Sequence, residues 1–317
     1  MKIIISIIIP CYNRAHLIAE TLRSIEDQSH ESWECLIVDD GSTDDTDQIV
    51  KHFSRKDQRF KLYSRPNSSP KGANACRNIG LQHAKGDYVM FFDSDDLMTS
   101  NHLELKLRAL DLTYDMVIAR TKEFNHPDSV ITFISNSERY DFNTYKSILK
   151  NYALQKVNWL TPDSLIKSEL AKKISFHESL HRGQEYNYYC KLLLQEPKII
   201  IIDDYVTLRR MHPESIKSSL NVAEDVSKRA ISKLVTLNEI FNSIDSKLIR
   251  ELTAQIALDL TTHRFKIPFK YWLLVINYLS RYISFSASAW FLLSGVSKIM
   301  IGKNHFFRLK LKKALEN

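Results

Sequence analysis

The 317-residue chain is predicted to be an α/β protein, a mostly parallel sheet with helices on both faces followed by a helical C-terminal extension. Three observations predict this. Short apolar runs alternate with helix-spaced segments through the first hundred residues. The runs are rich in Ile and Val and end in polar turns, as expected of strands buried on both faces. From about residue 219 helical spacing becomes continuous, and Gly and Pro become scarce.

The elements follow in order. Ile3–Ile9 (IIISIII) reads as a strand that stops at Pro10. Ala15–Asp27 places Leu17, Ile18, Leu22 and Ile25 on one helical face. Glu34–Val38 (ECLIV) is a second strand. Ser42 or Thr43 is expected to cap the next helix, with Asp44 and Asp45 at its positive end. Phe60–Tyr63 is a third strand, and Gly72–Ala84 a helix closed by Gly86. Tyr88–Phe92 is a fourth strand. Beyond Leu110 the pattern loosens, with strands at Met116–Arg120, Val130–Ile134 and Lys198–Asp203 and helices at Tyr145–Tyr152 and Gly183–Leu194. The expected division is residues 1–218, an α/β domain, and residues 219–317, a helical region.

Bulk composition narrows the classes. Hydrophobic residues make up 44% and charged residues 26%, ordinary for a folded chain. The formal charge of +7 suits an anionic partner such as nucleic acid, an acidic membrane or a phosphorylated substrate. Cys11, Cys35, Cys76 and Cys190 are far apart and form no CxxC pair, so neither a zinc site nor a disulfide framework is signalled. Reduced thiols and a cytoplasmic setting are expected. The first apolar run is too short for a signal-peptide core.

The last stretch, from FKYWLL to RLKLKKA, mixes aromatic and aliphatic residues with spaced basic ones. Its longest uncharged run, between Arg281 and Lys298, falls short of the ~20 residues of a spanning helix. Apolar residues alternating with Lys and Arg are the pattern of interfacial helices. Association with the inner face of the cell membrane is expected; the alternative is a packed helical subdomain with a solvated basic end.

The polar residues that follow the strands carry the chemistry. In open α/β sheets ligands bind at the carboxyl ends of the strands, where strand order reverses. With a spatial order 3-2-1-4, the loops Pro10-Cys11-Tyr12-Asn13-Arg14, Asp39-Asp40-Gly41-Ser42 and Asp93-Ser94-Asp95-Asp96 meet at one edge. Three carboxylates within four residues need a cation. A divalent ion, Mg²⁺ or Mn²⁺, held by hard oxygen ligands and bridging a diphosphate, would supply it. Tyr12 could stack on a base whose ring N–H donates to Asp40. Asp44, Asp45 and Asp47 read instead as helix-dipole acids. No EF-hand loop, dinucleotide GxGxxG turn or Walker lysine loop is present.

The segments IIIPCYNR, ECLIVDDGSTDDT, GANACRNIG and YVMFFDSDD together resemble the family 2 glycosyltransferases of the GT-A fold. HRGQEYNYYCKLL and LRRMHPES extend the resemblance to about Ser215. The resemblance implies a nucleoside diphosphate sugar donor, a UDP-sugar in the usual case, and inversion at the anomeric carbon. It places Asp40 at the base, with Pro10, Tyr12, Asn13 and Arg14 beside it, and Asp93 and Ser94 near the ribose. Asp95 would bind the metal and Arg77 the donor. The family's catalytic Asp falls on Glu185, one methylene longer, with Asp203 and Asp204 in reserve. Arg210 and His212 match a distal R-x-H element, Arg210 reaching a phosphate and His212 the metal.

Trp159 is either an acceptor platform or a core residue. The implied acceptor is a glycan, lipid-linked, in surface polysaccharide synthesis, and no nucleic acid is implied. A processive synthase is not indicated, since no Q-x-x-R-W element is found. The rival readings are a nucleotide-sugar-binding scaffold and a sugar nucleotidyltransferase.

Overall fold

The computed structural model describes residues 2–111, 113–125, 134–135, 148–211, 222–262, 268–301 and 304–316. The elements run β1 (Ile5–Cys11), α1 (Ile18–Glu26), β2 (Trp33–Asp39), α2 (Thr46–Lys56), β3 (Phe60–Ser64), α3 (Ala73–His83), β4 (Tyr88–Phe91), β5 (Leu97–Met98) and α4 (His102–Ala109). Then follow β6 (Met116–Asn125), β7 (Ile134–Ser135), α5 (Ile148–Ala153), β8 (Ser164–Lys167), α6 (Ser168–Ala171), α7 (Gln184–Leu193) and β9 (Ile199–Met211). The chain continues as α8 (Val222–Ile240), α9 (Ser246–Thr262), α10 (Phe269–Tyr282), α11 (Phe285–Ile301) and α12 (His305–Glu316).

β1 and β2 are buried along their whole length, which is why they read as uninterrupted apolar runs rather than alternating ones. They form the centre of a sheet ordered β3-β2-β1-β4-β8-β6-β9-β5, with β7 paired to β6. The first four strands are parallel, in the predicted 3-2-1-4 order. Beyond β4 the sheet is mixed, because β8 joins β4 and β6 antiparallel and β5 joins β9 antiparallel. The mostly parallel expectation therefore holds for the N-terminal half. Extending β9 from the expected Asp203 to Met211 lets it run parallel to β6 and also carry β5.

The core of this region combines the inner faces of β1, β2 and β4 with Ile18, Leu22 and Ile25 of α1 and Val50 and Phe53 of α2. α3 lies close on β1 at Gly80, where an added Cβ would stand 2.3 Å from Ile8 Cγ2. Gly80→Val should therefore destabilise the chain by about 2–3 kcal/mol through overpacking. Urea denaturation checks this, and an unchanged midpoint would show that the helix can retreat without loss.

Two compact units are present. The first comprises Met1–Tyr145, Val157–Ser179 and Gln195–Ser215; the second comprises Lys146–Lys156, Leu180–Leu194 and Ile216–Asn317. Two segments that precede residue 218 thus belong with the C-terminal helices. In the second unit Tyr186 of α7 stacks on Tyr152 of α5 and donates its hydroxyl to the Ala153 carbonyl at 2.8 Å. Among the described residues no helix is long and apolar enough to cross a membrane. The strand expected at Val130–Ile134 lies outside the described residues except for Ile134, and so does the start of the helix expected at Tyr145–Tyr152.

All four cysteines are buried and free. Burial raises each thiol far above its ordinary range, Cys76 to about 12, with neighbouring Asp40 adding to the effect there.

A second buried group lies on α4. Lys106 is fully buried, donates to the Pro162 carbonyl at 2.7 Å, and is lowered to about 7 by burial, against the opposing charge of Asp163. Below pH 7 the folded state bears the whole cost of a buried ammonium. Above it the folded state releases the proton while the unfolded chain keeps it up to its ordinary value near 10.5. Stability should therefore rise from pH 7 to pH 9, with Lys106 contributing a slope of about 1 kcal/mol per pH unit. Lys106→Met should flatten that rise in urea titrations; an equal slope in both proteins would refute the assignment.

Candidate active site

The loops after β1, β2 and β4 are neighbours because their strands are. The first two are tied together. Asn13 adopts a left-handed backbone (φ 51°), which Asn tolerates better than most residues. Its side-chain Oδ1 accepts the Thr43 N–H at 2.8 Å, and its own N–H donates to Ser42 Oγ at 2.9 Å. Arg14 N–H donates to Thr46 Oγ1 at 2.7 Å, and Ala15 N–H to Asp44 Oδ2 at 3.0 Å. Asn13, grouped with the donor contacts from the sequence, is here the latch between two loops.

Ser42 and Thr43 do not cap α2, whose N-cap position is Asp45. The Ser42 hydroxyl donates to Asp39, which also accepts the N–H groups of Gly41 and Ser42 at 3.1 and 2.9 Å. Gly41 has φ 86°, a conformation glycine adopts without strain, so Asp39 and Gly41 shape the turn. Asp40 is left to the site. It is buried and ion-paired with Arg65, and it accepts the Gly72 N–H at 3.2 Å. Arg65 is a site residue that the sequence does not reveal. It follows β3 directly and reaches Asp40 because β3 pairs with β2.

Pro10 is buried in β1, while Tyr12 is 39% exposed beyond its end. The ammonium of Lys71 lies 3.8 Å from the centre of the Tyr12 ring. One ring face therefore already carries a cation, and Lys71 joins the site's basic groups.

The acidic loop after β4 finds its counter-charges inside the chain. Arg77 Nη2 donates to Asp93 Oδ1 at 2.9 Å, and Arg14 Nε lies 3.5 Å from Asp95 Oδ2. Asp96 is buried and accepts the Arg210 N–H at 3.0 Å; burial, then the charges of Asp93 and Asp95, raise its carboxyl well above the usual range. The sequence leads one to expect a divalent ion as the counter-charge; two arginines already supply part of it. Ser94 is buried, and its carbonyl accepts the Thr21 hydroxyl at 3.1 Å.

Arg210 occupies a different place from the one expected. Its side chain is 3% exposed, bonded to Glu20 at 2.5 Å and to the Asp95 carbonyl at 3.1 Å, and its guanidinium lies 5.0 Å from the Phe124 ring. It braces the acidic loop from beneath rather than presenting a fork to a phosphate. Its partner Glu20 lies 190 residues away in sequence, so no local signal could have shown the pair. Trp159 is fully buried, so the core alternative replaces the acceptor platform. His212 lies outside the described residues.

Glu185 lies in the first turn of α7, in the second unit, and is partly exposed. The helix enters through Gly183, whose φ of 63° is left-handed and where an added Cβ would meet Ser232 Cβ at 2.9 Å. Asp203, a reserve candidate, is exposed and ion-paired with Arg120, and Asp204 is exposed.

Among the described residues no three side chains cluster as metal ligands. Asp93 and Asp95 nevertheless keep 38% and 20% of their side chains exposed at the strand ends. Two accessible hard carboxylates suit an ion that takes its other ligands from water and phosphates, so the residues fit Mg²⁺ or Mn²⁺.

Comparison with known proteins agrees with this geometry. Residues 6–165 match the model of glycosyl transferase family 2. An uncharacterized glycosyltransferase of Rickettsia bellii is 38% identical over 107 residues, 34% of this chain and 15% of that protein. The match thus spans about one seventh of that relative's length. The Escherichia coli UDP-Glc:alpha-D-GlcNAc-diphosphoundecaprenol beta-1,3-glucosyltransferase WfgD is 34% identical over 149 residues, 47% of this chain and 56% of that protein.

Two solved structures share the fold. Staphylococcus aureus TarS 1–349 in complex with UDP-GlcNAc aligns with a TM-score of 0.61 at 19% identity, covering 100% of this chain and 92% of that one. The Pyrobaculum calidifontis mannosyltransferase PcManGT, in complex with GDP-Man and Mn²⁺, aligns at 0.53 and 17% identity, covering 94% and 87%. With its family model matched over half its length, the chain belongs to glycosyl transferase family 2.

Proposed function

We propose that the protein is a metal-dependent, inverting glycosyltransferase. It moves one sugar from a UDP-sugar to a hydroxyl of a lipid-linked glycan at the inner face of the cell membrane, in surface polysaccharide synthesis. The observation that carries this reading is the meeting of Tyr12, the Asp40–Arg65 pair, Arg77–Asp93 and Asp95 at the ends of three adjacent parallel strands. The complex of TarS with UDP-GlcNAc supports the donor class, and the name of WfgD supports a lipid-diphosphate-linked acceptor. PcManGT, in its complex with Mn²⁺, supports the metal.

Each residue then has a task. Asp40, oriented by Arg65, accepts a hydrogen bond from the base, and Tyr12 lies beside it. Asp93 reaches the ribose. Asp95, with Asp93, would hold the divalent ion, which when bound neutralises charge on the departing diphosphate. Arg77 and Arg14, drawn from their carboxylate partners, stabilise the same oxygens. Glu185 removes the proton of the acceptor hydroxyl.

A thermal-shift screen of UDP-, GDP- and dTDP-sugars with and without Mn²⁺ tests the donor. A ligand at about 100 times its Kd should stabilise the chain by about 2.7 kcal/mol. Stabilisation by UDP-sugars only when Mn²⁺ is present is expected. No shift with any donor would remove the proposal, and a shift without turnover would favour the scaffold reading.

A further inference from the structure

The C-terminal helices hold two features that sugar transfer does not use. The first is charge. Residues 268–317 contain eight Lys or Arg and one acid, Glu316, a net +7 that equals the surplus of the whole chain. The remaining 267 residues are formally neutral, so the excess belongs to this segment alone. The second is apolar exposure. Of the twelve large apolar side chains exposed among the described residues, nine lie between Phe269 and Leu309.

On α11 the exposed residues are Phe285, Leu292, Leu293, Val296 and Met300. At 100° per residue they fall within an arc of about 100°, while Lys298, the helix's one charged residue, falls on the opposite side. The inner face is close-packed, since a Cβ on Gly295 would stand 2.0 Å from the Trp272 ring. The stripe is therefore an outward face rather than a loose core.

On α12, His305, Arg308, Leu309 and Lys312 share one side and, with Leu258 of α9, line a cleft of about 350 Å³. Three nitrogen-bearing side chains surround an apolar floor. Arg308 is held by Thr262 Oγ1 at 3.0 Å. Leu309 both lines the cleft and is 48% exposed, and Phe306, one turn away, is 59% exposed. Basic groups around a pocket that opens beside apolar side chains match an anionic amphiphile, with phosphate at the basic groups and chains against the aliphatic ones.

We propose that α10–α12 dock on an anionic lipid bilayer, with the α11 stripe seated in the acyl boundary and the α9–α12 cleft taking a lipid phosphate headgroup. A second copy of the chain is the weaker occupant, because it would bring another +7 against the first. The inference rests on the membrane residency proposed above, not on the donor chemistry.

Vesicle flotation of the full chain tests it. Binding to vesicles containing about one third phosphatidylglycerol should exceed binding to pure phosphatidylcholine by about ten-fold and fall in high salt. Arg308→Gln with Lys312→Gln should lower the bound fraction by about five-fold, and Leu293→Asp with Val296→Asp should abolish it. Each variant should keep its circular dichroism and its thermal shift with UDP-sugar, which separates loss of docking from failure of the donor reading.

Equal binding to neutral and anionic vesicles, or none, would overturn the proposal. So would stabilisation by inorganic phosphate, lost in the Arg308/Lys312 variant, in a chain that ignores vesicles. A dimer in light scattering that Leu293→Asp splits, with no vesicle binding, would assign the stripe to a second copy instead.

Discussion

Asp95→Ala is expected to lower sugar transfer by about 10²–10³-fold, the range seen when one preorganised electrostatic contact to a developing charge is removed. Asp95 is the more enclosed of the two accessible acids and lies 3.5 Å from Arg14, so its loss removes both the proposed ion ligand and a partner of Arg14. The fold should survive, because Asp96, not Asp95, makes the buried backbone bond to Arg210. The measurement is initial rate across a Mn²⁺ titration, with donor affinity in parallel. Unchanged rate and unchanged affinity in chelator would sink the metal assignment. A reduced rate that excess Mn²⁺ restores would support it.

Glu185→Gln should do something different. Donor-induced stabilisation should persist while transfer falls by about 10²–10⁴-fold, the usual contribution of a positioned general base. The isosteric amide keeps the first turn of α7 intact, since Glu185 is partly exposed and the helix is anchored by Tyr186 and Asn187, the latter donating to Glu239 at 2.7 Å. The informative readout is the transfer rate at saturating donor, measured beside the donor-induced thermal shift on the same preparation. Survival of transfer at wild-type rate would move the role to another carboxylate, with Asp204 the first to substitute.

The N-terminal half of the fold is legible because β1, β2 and β4 are buried on both faces, so composition alone distinguishes them from the helices. The mixed half is less so. β8 and β9 join the sheet through partners distant in sequence, and short strands such as Leu97–Met98 have no period to detect. In the site, residue types at strand ends are readable, whereas their partners are not. Asp40 is visible, but Arg65 becomes identifiable only once β3 is known to pair with β2.

Asn13 and Arg210 stand out in the sequence, but the bonds they make, to the neighbouring loop and to Glu20, are not legible there, since a motif gives position and not the direction of a side chain. Trp159 shows the converse: an aromatic beside Thr and Asp looks alike from sequence whether it faces sugar or core, and burial decides. The acid loop is the largest revision. A deficit of positive charge is inferred correctly, but arginines distant in sequence supply part of what the sequence assigns wholly to an ion.

The concealed cysteines have a practical consequence. With all four thiols shielded and held protonated at neutral pH, the native protein should be nearly blind to maleimides. A single cysteine engineered on the outer side of α11 would then be the one reactive handle. An environment-sensitive fluorophore attached there would report whether that helix meets a bilayer, with no need to rebuild the rest of the molecule.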